Sequence, residues 1–314
     1  MSPPLLAARQ LVKKFGARTA VDGVSFTLER GGCTGLLGPN GAGKTTTLSM
    51  IAGLVQADSG EVLLDGKPLT GETDPRKKLL GLVPQELALY EELSAGENLS
   101  FFGGLYGWTG NRLAESAKSA LAFVGLEDRA KDKVKTYSGG MKRRLNLAVA
   151  LMHDPEILLL DEPTVGVDPQ SRNAIFDNIE ALRRQGKTIL YTTHYMEEVE
   201  RLCDRIIIID HGHVIADDTR SGLKQRSTGA HPLKVELATE PDAATVSHLR
   251  GLPGVTGVEI VGVTLTLQLA ELNHAGAILE SLSIRRYAIM DVTAQRPSLE
   301  HIFLQLTGRS LRDG

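Results

Sequence analysis

The 314-residue sequence predicts an α/β protein that continues into a smaller α+β domain. Three observations lead to this prediction: a glycine-rich loop near residue 40, apolar runs that alternate with helical patterns as far as about residue 217, and a β-α-β-β-α-β order after residue 230. Alternating strands and helices form parallel sheets, whereas the later order is that of a ferredoxin-like unit. We therefore expect two domains, residues 1–228 and 229–314.

The glycine-rich loop has the pattern G-x-x-x-x-G-K-[ST], follows the apolar run Cys33–Leu37 and precedes a helical pattern. Glycines let backbone N–H groups face an anion, and the helix adds the positive end of its dipole, so this context favours phosphate binding over a merely structural turn. We expect Lys44 to contact the phosphates of a nucleoside triphosphate and Thr45 to hold Mg²⁺. The predicted loop residues are Gly38, Pro39, Asn40, Gly41, Ala42, Gly43, Lys44, Thr45 and Thr46.

Composition limits the classes of function. A formal net charge of −3 argues against a broad nucleic-acid-binding face, so we expect no nucleic-acid partner. The two cysteines, Cys33 and Cys203, lack metal-binding spacing and fit a reducing compartment. The first residues lack the pattern of a secretion signal and the aliphatic runs are too short to span a bilayer, so we expect a membrane role to depend on a partner.

The segments flanking the loop are predicted to be β-rich. Two strand-like segments lie within Leu5–Leu28, and Phe15 ends the first of them. Phe15 has two interpretations that the residues alone leave open: an aromatic that stacks on a nucleotide base, or a strand-end core residue. Further strands are expected over residues 60–66 and 79–84, and the second ends at Gln85.

Residues 87–155 are predicted to form a helical subdomain. Five of the fourteen aromatic residues lie within Tyr90–Trp108, and Leu99, Phe102 and Tyr106 have helical spacing. We favour a stripe that faces the core for most of these positions, although such a concentration also suits a docking groove.

A second helix start carries the sequence YSGGM at residues 137–141. Ser138 is expected to cap this helix, and Gly139 and Gly140 would expose backbone N–H groups, which makes a second anion site. The cations at residues 142–144 are interpreted as a solvated helix face.

Two later strands end in polar residues. Ile157–Leu160 is followed by Asp161 and Glu162, and acids at the carboxyl end of a buried strand match the usual ligand position in parallel sheets. The strand Lys187–Thr192 ends shortly before His194, and a lone histidine in such a place is more often structural.

The chain turns polar between Thr219 and His231, where we place the domain boundary. The expected elements beyond it are strands 233–237, 255–261, 263–270 and 287–294 and helices 242–251, 273–282 and 298–306. No catalytic constellation is visible in this part. We therefore favour a dimerisation or regulatory module, with a small-molecule sensor as the alternative.

The phosphate loop, Gln85, YSGGM, ILLLDEP, the turn at Asp168 and the Thr-His pair at His194 occur in an order that resembles ABC-transporter nucleotide-binding subunits. The resemblance covers Leu5–Lys224, and YSGGM before ILLLDEP is its most specific part. The sequence SLEHIF at Ser298–Phe303 is similar to the tail of drug-resistance and type 2 exporter ATPases. The fold implied is a P-loop NTPase cassette with a RecA-like core, a β-rich N-terminal subdomain and a helical subdomain.

The resemblance also implies a role for each motif. Phe15 would stack on the adenine of ATP, and Gln85 and Asp161 would complete the Mg²⁺ shell. Glu162 would polarise the attacking water, and His194 would contact the γ-phosphate. Gln85 would additionally sense the membrane partner.

Subunits of this family pair head-to-tail, which implies that each ATP lies between residues 38–46 of one subunit and 138–140 of the other, with Asp168 facing the partner. The common family signature is LSGGQ, whereas this chain has Met141 in the last position and so lacks a side-chain amide there. The hydroxyl and N–H donors of the signature remain, so we expect activity to persist.

The implied function is ATP hydrolysis that drives export through separate integral membrane permease subunits, by a homodimer or paired ATPase subunit at the cytoplasmic face of the membrane. A soluble ABC ATPase that acts on nucleic acid or the ribosome is the rival, but one cassette, no sustained heptads and an acidic balance disfavour it. A sensor without turnover is disfavoured by the intact Asp161–Glu162 pair.

Overall fold

A computed structural model of the chain describes residues 4–70, 74–226, 231–294 and 299–307. The chain divides into two compact units between Arg220 and Ser221. The predicted boundary between residues 228 and 229 lies outside the described residues. Each unit has its own hydrophobic core. No described helix combines the length and the apolar character needed to cross a bilayer.

The first unit is an α/β structure, which confirms the predicted fold class. Its strands are β1 (Leu6–Phe15), β2 (Arg18–Leu28), β3 (Cys33–Leu37), β4 (Ser59–Leu64), β5 (Lys67–Pro68), β6 (Leu80–Val83), β7 (Ile157–Asp161), β8 (Thr188–Thr193), β9 (Arg205–Asp210) and β10 (His213–Thr219). Its helices are α1 (Lys44–Ala52), α2 (Ala95–Leu105), α3 (Gly110–Phe123), α4 (Gly139–Leu151), α5 (Pro169–Arg184) and α6 (Met196–Leu202). Short 3₁₀ turns occupy Pro75–Leu79, Glu127–Arg129 and Val134–Thr136.

The central sheet has the order β10-β9-β3-β8-β7-β6, and all of its pairs are parallel except β10 with β9. Every residue of β3, β7 and β8 is buried, which explains the fully apolar run Ile157–Leu160 in β7. Parallel strands end at the same edge of a sheet. The loops after β3, β6, β7 and β8 therefore lie side by side, although they are far apart in sequence.

A second, antiparallel sheet has the order β2-β1-β4-β5. The tight turn between β1 and β2 places Phe15 at the end of the hairpin. The two cysteines lie in the other sheet and beside it: Cys33 begins β3, and Cys203 follows α6. Both thiols are free and buried, and their sulfur atoms are 3.5 Å apart.

Helices α2, α3 and α4 pack against one another. In the sequence, they lie between strands β6 and β7. Leu99 is fully buried, while Phe102 and Tyr106 are half-buried, so the stripe faces inward as predicted. Tyr90 and Phe101 are exposed. Their rings lie 4.9 Å apart, and each also approaches the Phe102 ring. We call Tyr90, Phe101 and Phe102 the aromatic cluster.

The second unit contains α7 (Arg220–Arg226), β11 (His231–Leu237), α8 (Ala243–Arg250), β12 (Val255–Val261), β13 (Thr264–Leu269), α9 (Ala275–Ile284), β14 (Ile289–Ala294) and α10 (Leu299–Thr307), with a 3₁₀ turn at Leu272–His274. Its sheet is antiparallel with the order β12-β13-β11-β14, which confirms the ferredoxin-like arrangement. Two details differ from prediction. The polar boundary region begins with helix α7, and residue 298, the predicted start of the last helix, lies outside the described residues.

Candidate functional site

The loop between β3 and α1 needs glycine at two positions for steric reasons. Gly43 has a φ of 105°, and a Cβ there would lie 2.5 Å from the carbonyl oxygen of Ala20. A Cβ on Gly38 would lie 2.2 Å from the carbonyl oxygen of Ile209. These approaches are shorter than any normal contact, so side chains are excluded where the backbone packs most closely.

The Lys44 side chain is only 4% exposed and lies within this loop. Its Nζ donates hydrogen bonds to the carbonyl oxygens of Gly38, at 2.9 Å, and Pro39, at 3.0 Å. The same Nζ is 3.1 Å from Oε1 of Glu162. The loop therefore holds a buried positive charge beside a carboxylate that comes from the end of another strand.

Glu162 links Lys44 to the predicted histidine. Its second carboxylate oxygen, Oε2, lies 3.2 Å from Nδ1 of His194. Its backbone N–H donates to both the carbonyl and the hydroxyl oxygen of Thr192, each at 3.1 Å. The φ of Glu162 is 44°, an unusual value for a residue other than glycine and one that clusters at functional sites. Three predicted site residues thus form one chain of contacts: Lys44, Glu162 and His194.

Asp161 is buried next to the Thr45 hydroxyl. Its Oδ1 accepts hydrogen bonds from Oγ1 of Thr192, at 2.6 Å, and from Oγ1 of Thr45, at 3.2 Å. Burial raises the pKa of the Asp161 carboxyl, and the two hydrogen bonds partly oppose that increase. An adjacent hydroxyl and carboxylate are hard oxygen ligands of the kind that Mg²⁺ prefers. Within the described residues, no three or more His, Cys, Asp or Glu side chains form a cluster that could hold a metal ion.

Replacing Asp161 with Asn is expected to separate stability from binding. The amide oxygen retains both hydrogen bonds and removes a buried negative charge, which is costly to desolvate, so the melting temperature without nucleotide or Mg²⁺ should stay equal or rise by a few degrees. Mg·ATP affinity should fall about tenfold or more, because a carboxylate ligand is lost. Differential scanning calorimetry and nucleotide titration measure the two effects. A variant that melts earlier but binds Mg·ATP normally would contradict both.

A cavity of about 350 Å³ opens beside the loop. Its lining residues are Phe15, Arg18, Ala20, Asn40, Gly41, Gly43, Lys44, Thr45, Thr46, Gln85 and Glu162. Phe15 is 53% exposed at the cavity edge, so its interpretation as a strand-end core residue is wrong. Stacking of Phe15 on adenine stays a prediction. The cavity also includes Arg18, which the sequence analysis missed and whose Nη2 donates to the carbonyl oxygen of Gly41 at 3.2 Å.

Helix α4 holds the loop that carries Gln85. The Arg143 guanidinium donates to the carbonyl oxygen of Gln85 and, at 3.4 Å, to that of Val165. Nδ2 of Asn146 donates to the carbonyl oxygen of Pro84 at 3.3 Å. One helix face thus binds the backbone after β6 and the backbone after β7.

The expectation of a solvated face at residues 142–144 is therefore wrong. Besides Arg143, Lys142 forms an ion pair with Glu91, and Arg144 donates to the carbonyl oxygen of Val124 at 2.7 Å. A guanidinium carries five donors in a fixed plane, which suits it to bind loop carbonyls in this way.

The second predicted anion site lies apart from the cavity. Ser138 caps α4 and is exposed, as is Gly139. Gly140 is buried, and a Cβ there would lie 2.1 Å from Oγ of Ser171. Asp168 caps α5 by accepting from the N–H of Ser171 at 2.9 Å. None of these predicted site residues lines the cavity, whereas Phe15, Gln85 and most of the loop residues do.

Family comparison matches residues 21–165 to the family described as ABC transporter. The linearmycin resistance ATP-binding protein LnrL of Bacillus subtilis (strain 168) is 46% identical over 312 residues, which cover 98% of this chain and 100% of the relative. The Nod factor export ATP-binding protein I of Burkholderia lata is 41% identical over 307 residues, with 97% of each chain covered. The similarity to these relatives thus extends over nearly the whole chain.

Solved structures match a shorter part. A nucleotide-free ATP-binding cassette from an ABC transporter matches with a TM-score of 0.64 and 27% identity, over 71% of this chain and 94% of its own. A dimeric ATP-binding cassette in a post-hydrolysis state, bound to ADP and Pi, matches with a TM-score of 0.62 and 27% identity, over 68% and 98%. These cassettes share the fold of about two thirds of the chain.

Proposed function

Because the chain belongs to the ATP-binding proteins of the ABC transporter family, we propose that it hydrolyses ATP to drive export through separate membrane-spanning subunits. The observation that carries this proposal is the contact chain of Lys44, Glu162 and His194 beside the phosphate loop. A lysine, a carboxylate and an imidazole meet there at the edge of a parallel sheet, where ligands of such sheets bind.

The chemistry follows from what these side chains can do. Lys44 and the loop N–H groups bind the β- and γ-phosphates, and Phe15 stacks on the base. Water adds to the γ-phosphorus while the bond to the β–γ bridging oxygen breaks, and that oxygen leaves with the electron pair on ADP. Glu162 accepts the proton of the water, and His194 fixes the carboxylate and contacts the γ-phosphate.

Thr45 and Asp161 fit Mg²⁺ as neighbouring oxygen donors, and Gln85 faces the same cavity. Mg²⁺ held by these residues would supply positive charge that offsets the charge of the phosphates. This part of the proposal is supported by the burial of the Asp161 carboxylate and by the hydrogen bonds that it accepts from the hydroxyl groups of Thr45 and Thr192.

A head-to-tail dimer accounts for the second anion site. Ser138 and Gly139 are exposed and do not line the cavity of their own subunit. They lie at a helix start, whose N–H groups favour phosphate binding. A second copy, or a paired ATPase subunit, would bring residues 138–140 onto the nucleotide and Asp168 next to it. ATP then stabilises the closed pair because it contacts both subunits.

Docking on membrane subunits at the cytoplasmic face of the membrane is assigned to the aromatic cluster. A group of three aromatic rings, two of them exposed, on a small helical subdomain is typical of a protein interface. Export is supported by the names of the relatives, which refer to linearmycin resistance and to Nod factor export. The cargo itself is expected to contact the membrane subunits.

The proposed function is tested with the tagged chain, expressed in the organism that it comes from. We expect phosphate release from ATP by the purified chain and co-purification of an integral membrane protein from solubilised membranes. Phe101→Glu should lose the membrane protein and retain ATP binding, whereas Leu54→Glu, which alters a more exposed apolar side chain elsewhere, should retain both. Recovery of the chain with ribosomes or nucleic acid instead would contradict the proposal.

Residues 229–314 are proposed to be an accessory module that strengthens pairing of two chains. Among the described strands, β14 lies at an edge of its sheet, and residues 290–294 are all exposed, so this edge can pair with another strand. The described part of this module carries no cluster of metal-binding side chains and none of the predicted catalytic residues.

Ending the chain after Lys224 is therefore expected to leave Mg·ATP affinity within about twofold and to weaken dimerisation several-fold, because the paired strands are lost. Turnover should then depend more steeply on protein concentration. Sedimentation velocity and phosphate release at several concentrations measure this, with the melting temperature as a check of folding. Unchanged dimerisation, together with a lost response of turnover to added metabolites, would favour the sensor interpretation instead.

A further inference from the structure

A buried carboxylate outside the cavity accepts hydrogen bonds from three hydroxyl groups. Glu198 lies on α6 and is 2% exposed. Its Oε1 accepts from Oγ1 of Thr164 at 2.6 Å, and its Oε2 accepts from Oγ1 of Thr193 at 2.7 Å and from the Tyr191 hydroxyl at 2.9 Å. We call Glu198, Thr164, Tyr191 and Thr193 the hydroxyl network.

The network joins the two chain segments that carry the proposed catalytic side chains. Thr164 follows Glu162 by two residues, in the loop after β7. Thr193 immediately precedes His194 at the end of β8. Glu198 therefore connects the backbone behind Glu162 to the backbone behind His194, and the side chains of these two residues meet at 3.2 Å on the other side.

The Glu198 carboxylate is held without a cation. Within the described residues, no lysine, arginine or histidine nitrogen lies within 4.0 Å of it. Burying such a charge is costly, and an apolar or amide side chain would fill the same space at lower cost. Hydroxyl donors to a carboxylate form short, strong hydrogen bonds, which fix positions well. Burial and the neighbouring carboxylate also raise the pKa of Tyr191, so its hydroxyl stays protonated and donates.

We propose that Glu198 is a positioning residue for ATP hydrolysis: through Thr164 and Thr193, it fixes the placement of Glu162 relative to His194. This inference rests on the proposed ATPase function. The side chains of Glu162 and His194 lie near the limit of hydrogen-bonding distance. A displacement of about 0.5 Å in the loop after β7 or in the loop after β8 would break their contact. The phosphate loop and the cavity lining share no residue with the hydroxyl network, so we expect its loss to affect turnover more than nucleotide affinity.

The first test is Glu198→Gln in the full-length chain. The amide keeps the size of the side chain but replaces one acceptor with a donor facing a hydroxyl group. We expect kcat to fall about 10- to 100-fold, while KM and the dissociation constant for ATP remain within about twofold. A uniform loss of folded protein would instead lower the binding capacity and leave kcat per bound nucleotide unchanged.

The second test uses two threonines of one strand. Thr193→Val removes a network hydroxyl with little change in shape, and Thr193→Ser keeps it. Thr188→Val is the matched control, because Thr188 is also buried in β8 and its hydroxyl accepts from the N–H of Gly31 at 2.9 Å, but it lies at the opposite end of the strand. Only Thr193→Val should lower kcat, and Thr193→Ser should restore it.

The outcomes distinguish a failure of the positioning role from a failure of the proposed ATPase function. Equal kcat for Thr193→Val, Thr188→Val and the unaltered chain would overturn the positioning role while the ATPase function stands. A raised KM with unchanged kcat in Glu198→Gln would overturn it as well. An unaltered chain that binds ATP but releases no phosphate would overturn the proposed function, and the positioning role with it.

Discussion

Glu162→Gln is expected to bind ATP with nearly unchanged affinity and to lose about 10²–10⁴-fold in turnover. The amide preserves the shape and part of the contact with Lys44 and His194, but it cannot accept the proton of the attacking water. Phosphate release and ATP titration measure the two quantities. Glu197→Gln is the control, because Glu197 is exposed on α6 and contacts none of the site residues described here.

The Glu162→Gln variant should also accumulate as an ATP-bound dimer, since the contacts made by the γ-phosphate persist when hydrolysis is blocked. Gel filtration with and without Mg·ATP detects this. Normal turnover in Glu162→Gln would remove the carboxylate from the mechanism, and another group would then have to accept the proton.

Ser138→Arg is expected to abolish the ATP-dependent dimer while leaving the affinity of one subunit for ATP within about twofold. Ser138 is exposed and lies outside the subunit's own cavity, so the added bulk and charge meet only the partner's nucleotide. The substitution also removes a helix cap, which costs about 1 kcal/mol. Ser94→Arg controls for this, because Ser94 caps α2 of the same subdomain.

Gel filtration of both variants in the Glu162→Gln background reads out the effect. Only the Ser138 variant should remain monomeric with ATP. If both variants dimerise, the head-to-tail arrangement around residues 138–140 is excluded. If both fail to dimerise, loss of a helix cap in this subdomain is sufficient, and contact with the partner's nucleotide is not needed.

Local patterns predicted those parts of the fold that depend on local physics. The apolar runs of β3 and β7 indicated buried strands, and the ends of β7 and β8 located Asp161, Glu162 and His194 near a sheet edge. The order of the strands within the sheet could not be predicted from the sequence and is given by the structure. Because β8 lies between β3 and β7, Thr192 contacts both acids, and no pattern around Thr192 signals this contact.

Side-chain partners across long sequence separations were the parts that sequence reasoning missed. Arg143 appeared to be one of three solvated cations, yet it binds carbonyl groups 58 and 22 residues away. Glu198 belongs to no motif that the sequence analysis singled out, and its three hydroxyl donors come from two other segments. Helical periodicity gives the face that a residue occupies, but the neighbour of that face is set by tertiary packing.

The buried thiols of Cys33 and Cys203 give the chain an internal reporter of unfolding. They are the only cysteines in the sequence, and burial raises the pKa of Cys203 well above its ordinary value, so a maleimide reagent should find no reactive thiolate in the native protein. Labelling of Cys33 then requires the strand that leads into the phosphate loop to open. The rate of adduct formation, followed by mass spectrometry, therefore measures how much ATP slows the opening of that strand.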